Sequence, residues 1–188
     1  MEITKAVYFD SREDWREWLL ENFKSEKEIW LIYPNKSTGK PCILYNDAVE
    51  EALCFGWIDS TMKKYDETHA AQRFTPRNPK STYSQPNKER LRWLAKNNLL
   101  NPEIREKVAN ILSEKFVYPS DILAALQADE ETWQNFQQFS ESYKRIRISF
   151  VHDARIRPDI FEKRLANLLK MTKQNKRIIG HGGIDKYY

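Results

Sequence analysis

Two short stretches, Trp57-Ile58-Asp59-Ser60 and Arg73-Phe74-Thr75-Pro76-Arg77, carry side chains suited to holding an anion. In extended backbone successive side chains alternate between faces, so Arg73, Thr75 and Arg77 share one face and Phe74 and Pro76 the other. Two guanidiniums then point the same way, and their planar forks match a carboxylate or phosphate. Asp59 is within reach of pairing with either arginine, and the indole of Trp57 offers a stacking surface for a guanidinium or a planar ligand. Lys40, beside the Gly39 turn, and Tyr83 complete the candidate set Trp57, Asp59, Arg73, Arg77, Lys40 and Tyr83. The leading expectation is a non-enzymatic binding protein for an anionic small molecule or a protein partner. An enzyme is the rival, with Asp59 as general acid/base and Arg73 and Arg77 stabilising developing negative charge. A third reading makes the same groups a buried Asp–Arg brace at the corner between helix and hairpin.

Other chemistries lack their signatures. The chain has no Gly-rich phosphate loop, dinucleotide fingerprint, His-Glu-x-x-His, Cys-x-x-Cys or Gly-x-Ser-x-Gly elbow, so no cofactor or metal is expected. His69, His152 and His181 stand in three unrelated contexts, and Cys42 and Cys54 fit neither metal-ligand nor redox spacing. Two thiols in a chain of this size read as reduced, packed side chains. Lys144–Tyr188 carries 12 basic against 4 acidic residues, while the preceding part carries 19 against 23. That asymmetry raises nucleic-acid binding through Lys144, Arg145, Arg147, Arg155, Arg157, Lys163 and Arg164 as a further reading. Tyr143, Ile146 and Phe150 fall on one apolar stripe, however, where they serve a core better than base stacking. The Gly-rich tail Ile178–Ile184 offers backbone N–H groups to a phosphate, although a flexible terminus is the simpler reading.

The elements that must position these groups follow from pattern. With 188 residues, 40% hydrophobic and six Trp among them, the chain has enough apolar surface for a sizeable core. No apolar run approaches the roughly 18 residues of a membrane span, and the first residues do not read as a signal peptide, so a cytoplasmic location is expected. Ser11, three residues before Asp14, caps a helix to about Asn22 with Trp15, Trp18 and Leu19 on one stripe. Ile29–Tyr33 is a strand buried on both faces. Ile43–Tyr45 is a short strand or extended lead-in to a helix capped by Asn46 or Asp47 and ended by Gly56. Trp57–Tyr65 and His69–Thr75 form an antiparallel hairpin. From Pro79 the character changes, and helices follow, opened by Pro102, Pro119, Ser140 and Pro158. The expected fold is α+β: a small antiparallel sheet with two helices over residues 1–79, then a helical array over 80–188.

The blocks Glu28-Ile29-Trp30-Leu31, Gly39-Lys40-Pro41, Tyr45 to Ser60 with its Cys54-Phe55-Gly56-Trp57-Ile58-Asp59-Ser60 run, and Arg73 to Arg77 resemble the YdeI/OmpD-associated, bacteriocin-protection-like family. Tyr83 stands where the family pattern has Trp. The region of about 118–175, from Tyr118-Pro119-Ser120-Asp121 through Ser140 to Leu169 and beyond, is similar to its all-helical OmdA-type domain. The resemblance implies a stress-linked or antimicrobial-peptide-protection role and assigns no catalytic residue.

Overall fold

The computed structural model describes residues 2–180 and 184–188. Part of the Gly-rich tail, residues 181–183 with His181, lies outside them. The first strand, β1 (Ala6–Tyr8), leads through helix α1 (Arg12–Asn22) to β2 (Ile29–Pro34). Ser11 caps α1 by accepting from the Asp14 N–H at 3.1 Å, as its spacing predicts. Because α1 carries the chain back, β1 and β2 pair in parallel, with Ala6 beside Trp30 and Tyr8 beside Ile32. The sheet is therefore mixed rather than wholly antiparallel.

Residues 42–44 form an extended lead-in rather than a strand. Helix α2 (Tyr45–Cys54) begins without a side-chain cap, because Asp47 is instead turned to Arg12. Gly56 follows it with φ +73°, and a Cβ there would lie 3.0 Å from Cδ1 of Ile104. Left-handed backbone and close approach both require glycine. The hairpin β3 (Trp57–Lys64) and β4 (His69–Pro76) completes a four-stranded sheet of order β1-β2-β4-β3. Asp59 lies opposite Phe74 and Trp30 opposite Arg73, and a bulge separates Asp59 from Met62. One sheet face packs on α1 through Trp15 against Phe74 (5.5 Å between rings) and Trp18 against Trp57 (5.7 Å).

The chain divides into two compact units: residues 1–82 with 91–112, and residues 83–90 with 113–188. Helix α3 (Gln85–Lys96) contributes to both. A single cut at 79/80 therefore misses that Leu91–Leu112, including α4 (Pro102–Lys107), belongs with the sheet. The C-terminal array comprises α6 (Ser120–Gln127), α7 (Glu130–Gln138), α8 (Glu141–His152) and α9 (Pro158–Lys173); α5 (Ala109–Ser113) precedes it. Ile122, Leu126, Phe136, Ile148, Val151 and Leu168 form its apolar centre. Asp129 and Ser140 cap α7 and α8 by accepting backbone N–H groups three residues on. Mixed α+β architecture and a C-terminal helical array are thus both present.

Candidate functional site

The bulge and register decide where the predicted site residues go. Asp59 pairs directly with Phe74, so its side chain leaves the sheet on the face opposite Arg73. Its carboxylate accepts a hydrogen bond from the Tyr45 hydroxyl at 2.5 Å. Arg73 instead donates to Glu28, from Nε at 2.8 Å and also from Nη2. Arg77, one residue past β4, donates from Nη2 to the carbonyls of Ser81 (3.1 Å) and Thr82, closing the turn after the hairpin. Trp57 is 1% exposed, its indole N–H donating to the Phe23 carbonyl at 3.0 Å. Its ring is core, packed edge-on against Trp18, and offers no surface to a ligand. The Trp57–Asp59–arginine constellation is therefore not assembled in the sheet unit. Tyr83 belongs to the second unit.

A buried brace does exist, on residues that spacing alone did not single out. Arg12, at the start of α1, reaches Glu51 with Nε (2.5 Å) and Glu50 and Asp47 with Nη1 (3.0 and 3.2 Å). Arg16, one turn on, reaches the other Glu51 oxygen at 2.5 Å. Glu50 and Glu51 are buried, and the arginines clamp α1 to α2. The only signal in the sequence was two adjacent acids in a helix whose apolar stripe is too narrow to explain burial on all sides.

Lys40 does line an opening. A cavity of about 280 Å³ lies at the hairpin end of the sheet unit, walled by Tyr8, Ile32, Lys40, Tyr65, Asp66 and His69. The register puts Tyr8 beside Ile32 and brings His69 onto the same face of the sheet. Asp66 shapes the turn: Oδ1 accepts the N–H groups of Thr68 (2.7 Å) and His69 (2.9 Å). His69 Nδ1 lies 2.9 and 3.0 Å from the two oxygens of the same carboxylate. The Thr68 N–H and the imidazole hold the Asp66 carboxyl down to about 2. With Nδ1–H directed at Asp66, the neutral ring keeps Nε2 as an acceptor. Lys40 makes no ion pair among the described residues, and the Tyr8 hydroxyl donates to the Pro41 carbonyl. The opening thus joins an ammonium, an oriented imidazole and two phenol rings.

Among the described residues no cluster of three or more His, Cys, Asp or Glu could hold a metal ion. No helix there is long and apolar enough to cross a membrane. In the C-terminal array the basic residues do not form one unpaired face. Lys144 pairs with Glu141 at 2.5 Å, Arg145 forks onto Glu89 at 2.7 and 2.8 Å, and Arg155 forks onto Asp121 at 2.6 and 2.8 Å. Arg147 is buried.

Fold and site together define a two-unit α+β protein with a sheet-borne opening and an OmdA-like helical array. Residues 7–107 match the family model of a domain of unknown function, DUF8412, and the chain belongs to that family. Residues 115–175 match the OmdA model, described as bacteriocin-protection, YdeI or OmpD-associated, so the helical array is an OmdA-type domain. No curated protein and no solved structure matches the chain.

Proposed function

We propose that the sheet unit is a binding module for a small planar carboxylate, seated in the opening between Lys40 and His69. The observation that carries this reading is the pairing of Lys40, which makes no ion pair, with an imidazole held by Asp66, both at the rim of an apolar-walled cavity. A carboxylate would take its charge partner from Lys40, while Tyr8, Tyr65 and Ile32 would face the flat apolar body. The site thus keeps the anionic ligand expected from the sequence and moves it from the arginines to the hairpin end. The matched family's description, bacteriocin protection, is compatible with a protein that acts by binding.

One observation favours a second reading. A carboxylate on Nδ1 is how an imidazole is oriented for proton transfer, so His69, rather than Asp59, would be the acid/base group of an enzyme working in this cavity.

The test is calorimetric titration of the full chain with benzoate and, as the uncharged control, benzamide. Benzoate is expected to bind and benzamide not, with Lys40→Ala abolishing the heat and His69→Gln weakening it. Equal binding by wild type and Lys40→Ala, or no binding of benzoate at millimolar concentration, overturns the proposal.

A further inference from the structure

The OmdA-type array contains a charge that the protein itself does not answer. Tyr143, Arg147 and Val151 lie four residues apart on α8, so all three fall on one face of the helix. Tyr143 and Val151 are buried, and Arg147 between them is only 1% exposed. An aliphatic residue would be ordinary at this position. A guanidinium there has lost its water and needs hydrogen bonds and a counter-charge.

Its partners are all neutral. Nη2 donates to the carbonyl of Ile178 at 2.5 Å and to the hydroxyl of Tyr188, and the guanidinium lies 5.7 and 5.3 Å from the ring centres of Tyr143 and Tyr188. Nε is buried with no hydrogen-bond partner. Among the described residues no carboxylate comes within ion-pair distance. Arg12, Arg73, Arg145 and Arg155 each have one.

Beside Arg147 is a cavity of about 170 Å³, within the helical unit, and two more cations line it. Lys163 is 4.0 Å from Asp159, both of them exposed, a contact that neutralises little. Arg164 donates to the Phe150 carbonyl at 2.7 Å and lies 3.6 Å from the centre of the Phe150 ring. Val151, Ile160 and Leu168 supply apolar wall, and no acidic side chain lines the space.

We infer that this cavity is an oxyanion site, taking the head group of a small phosphate monoester with a short apolar stem. A phosphate supplies acceptors for several donors at once, which a single carboxylate does less fully. Two negative charges also answer more of the three cations than one. At about 30 Å³ for each water displaced, the volume admits a head group and a few carbons rather than a nucleotide. Enclosure on this scale excludes a duplex, so a surface for nucleic acid is a different outcome.

The experiment titrates the full chain with hexyl phosphate at constant ionic strength, with inorganic phosphate, hexanol and a single-stranded oligonucleotide as separate arms. Hexyl phosphate is expected to bind one per chain, more tightly than inorganic phosphate, with hexanol silent. Lys163→Glu changes an exposed residue and should fold normally. It is expected to weaken hexyl phosphate about tenfold or more, as loss of a charge-assisted contact does. Arg147→Met should abolish binding. Lys40→Ala should leave it unchanged, which separates this site from the carboxylate opening. No binding at millimolar concentration overturns the inference, as does affinity indifferent to Lys163→Glu. Inorganic phosphate binding as tightly as hexyl phosphate overturns the apolar stem. Displacement by the oligonucleotide overturns the enclosed site in favour of a polyanion surface.

Discussion

Arg12→Met tests whether the α1–α2 clamp holds the sheet unit. The substitution keeps an apolar stem of similar length but removes the guanidinium from Glu50 and Glu51, which are 0% and 1% exposed. Arg16 still reaches one oxygen of Glu51 at 2.5 Å, so the stranded charge falls chiefly on Glu50 and on the other Glu51 oxygen. Breaking a buried pair by deleting one partner costs about 3–5 kcal/mol, because the remaining carboxylate is neither hydrated nor paired. For a chain of this size each kcal/mol moves the midpoint by about 2–4 °C, so Tm should fall by roughly 6–20 °C. Tryptophan fluorescence is the suitable probe, since Trp15, Trp18, Trp30, Trp57 and Trp93 all belong to the sheet unit. Adding Glu50→Gln to Arg12→Met should recover part of the loss by removing the stranded charge. The deficit should also narrow in acid, where protonation achieves the same. A loss below about 1 kcal/mol, the worth of an exposed pair, would refute the clamp.

Two further outcomes follow from local geometry. Gly56→Ala should cost about 1–2 kcal/mol, measured by urea denaturation, because its φ of +73° disfavours a side chain and the new Cβ meets Ile104 at 3.0 Å. Asp66→Asn should flatten the acid limb of the stability curve. The folded carboxyl titrates at about 2, below its ordinary 3.8. Its contribution is therefore present above about pH 4 and lost as pH falls toward 2. Thermal melts from pH 5 to 2 should show wild type losing stability faster than the variant, and parallel curves would reject this origin.

Much of the fold was legible because it is written in local spacing. Ser11, Asn101 with Pro102, Ser140 and Pro158 mark helix starts by chemistry that acts within one turn, and all four do so in the structure. Gly56 declared the end of α2 in the same way. The parallel pairing of β1 was not legible, since three residues carry no pattern and their partner is set by the crossover through α1. Asp59 and Arg73 looked adjacent for a related reason. Alternation correctly grouped Arg73 with Thr75, but no local rule states which residue of β3 lies opposite which of β4. A shift of one position exchanges the faces. Asp59 opposite Phe74 sends the carboxylate to the α1 side of the sheet, and Arg73 finds Glu28 across β2 instead.

The same physics governs the clamp and the cavity on α8, and the difference between them is what makes the second informative. At Glu50 and Glu51 the chain buries acids and supplies arginines from a facing helix, so the charges cancel within the protein. On α8 it buries a guanidinium on the apolar stripe and supplies a carbonyl, a hydroxyl and two rings, none of which carries a charge. If stability alone governed that position, methionine would fit the stripe without desolvating an ion. The two positions also differ in access. The clamp is an internal network, whereas Arg147 borders a space that Lys163 and Arg164 also line. Arg147→Met should therefore lose the ligand while costing the unliganded chain much less than Arg12→Met, because it strands no opposite charge. If the two variants are equally destabilised, Arg147 is a structural cation, and the cavity beside it has no call on an anion.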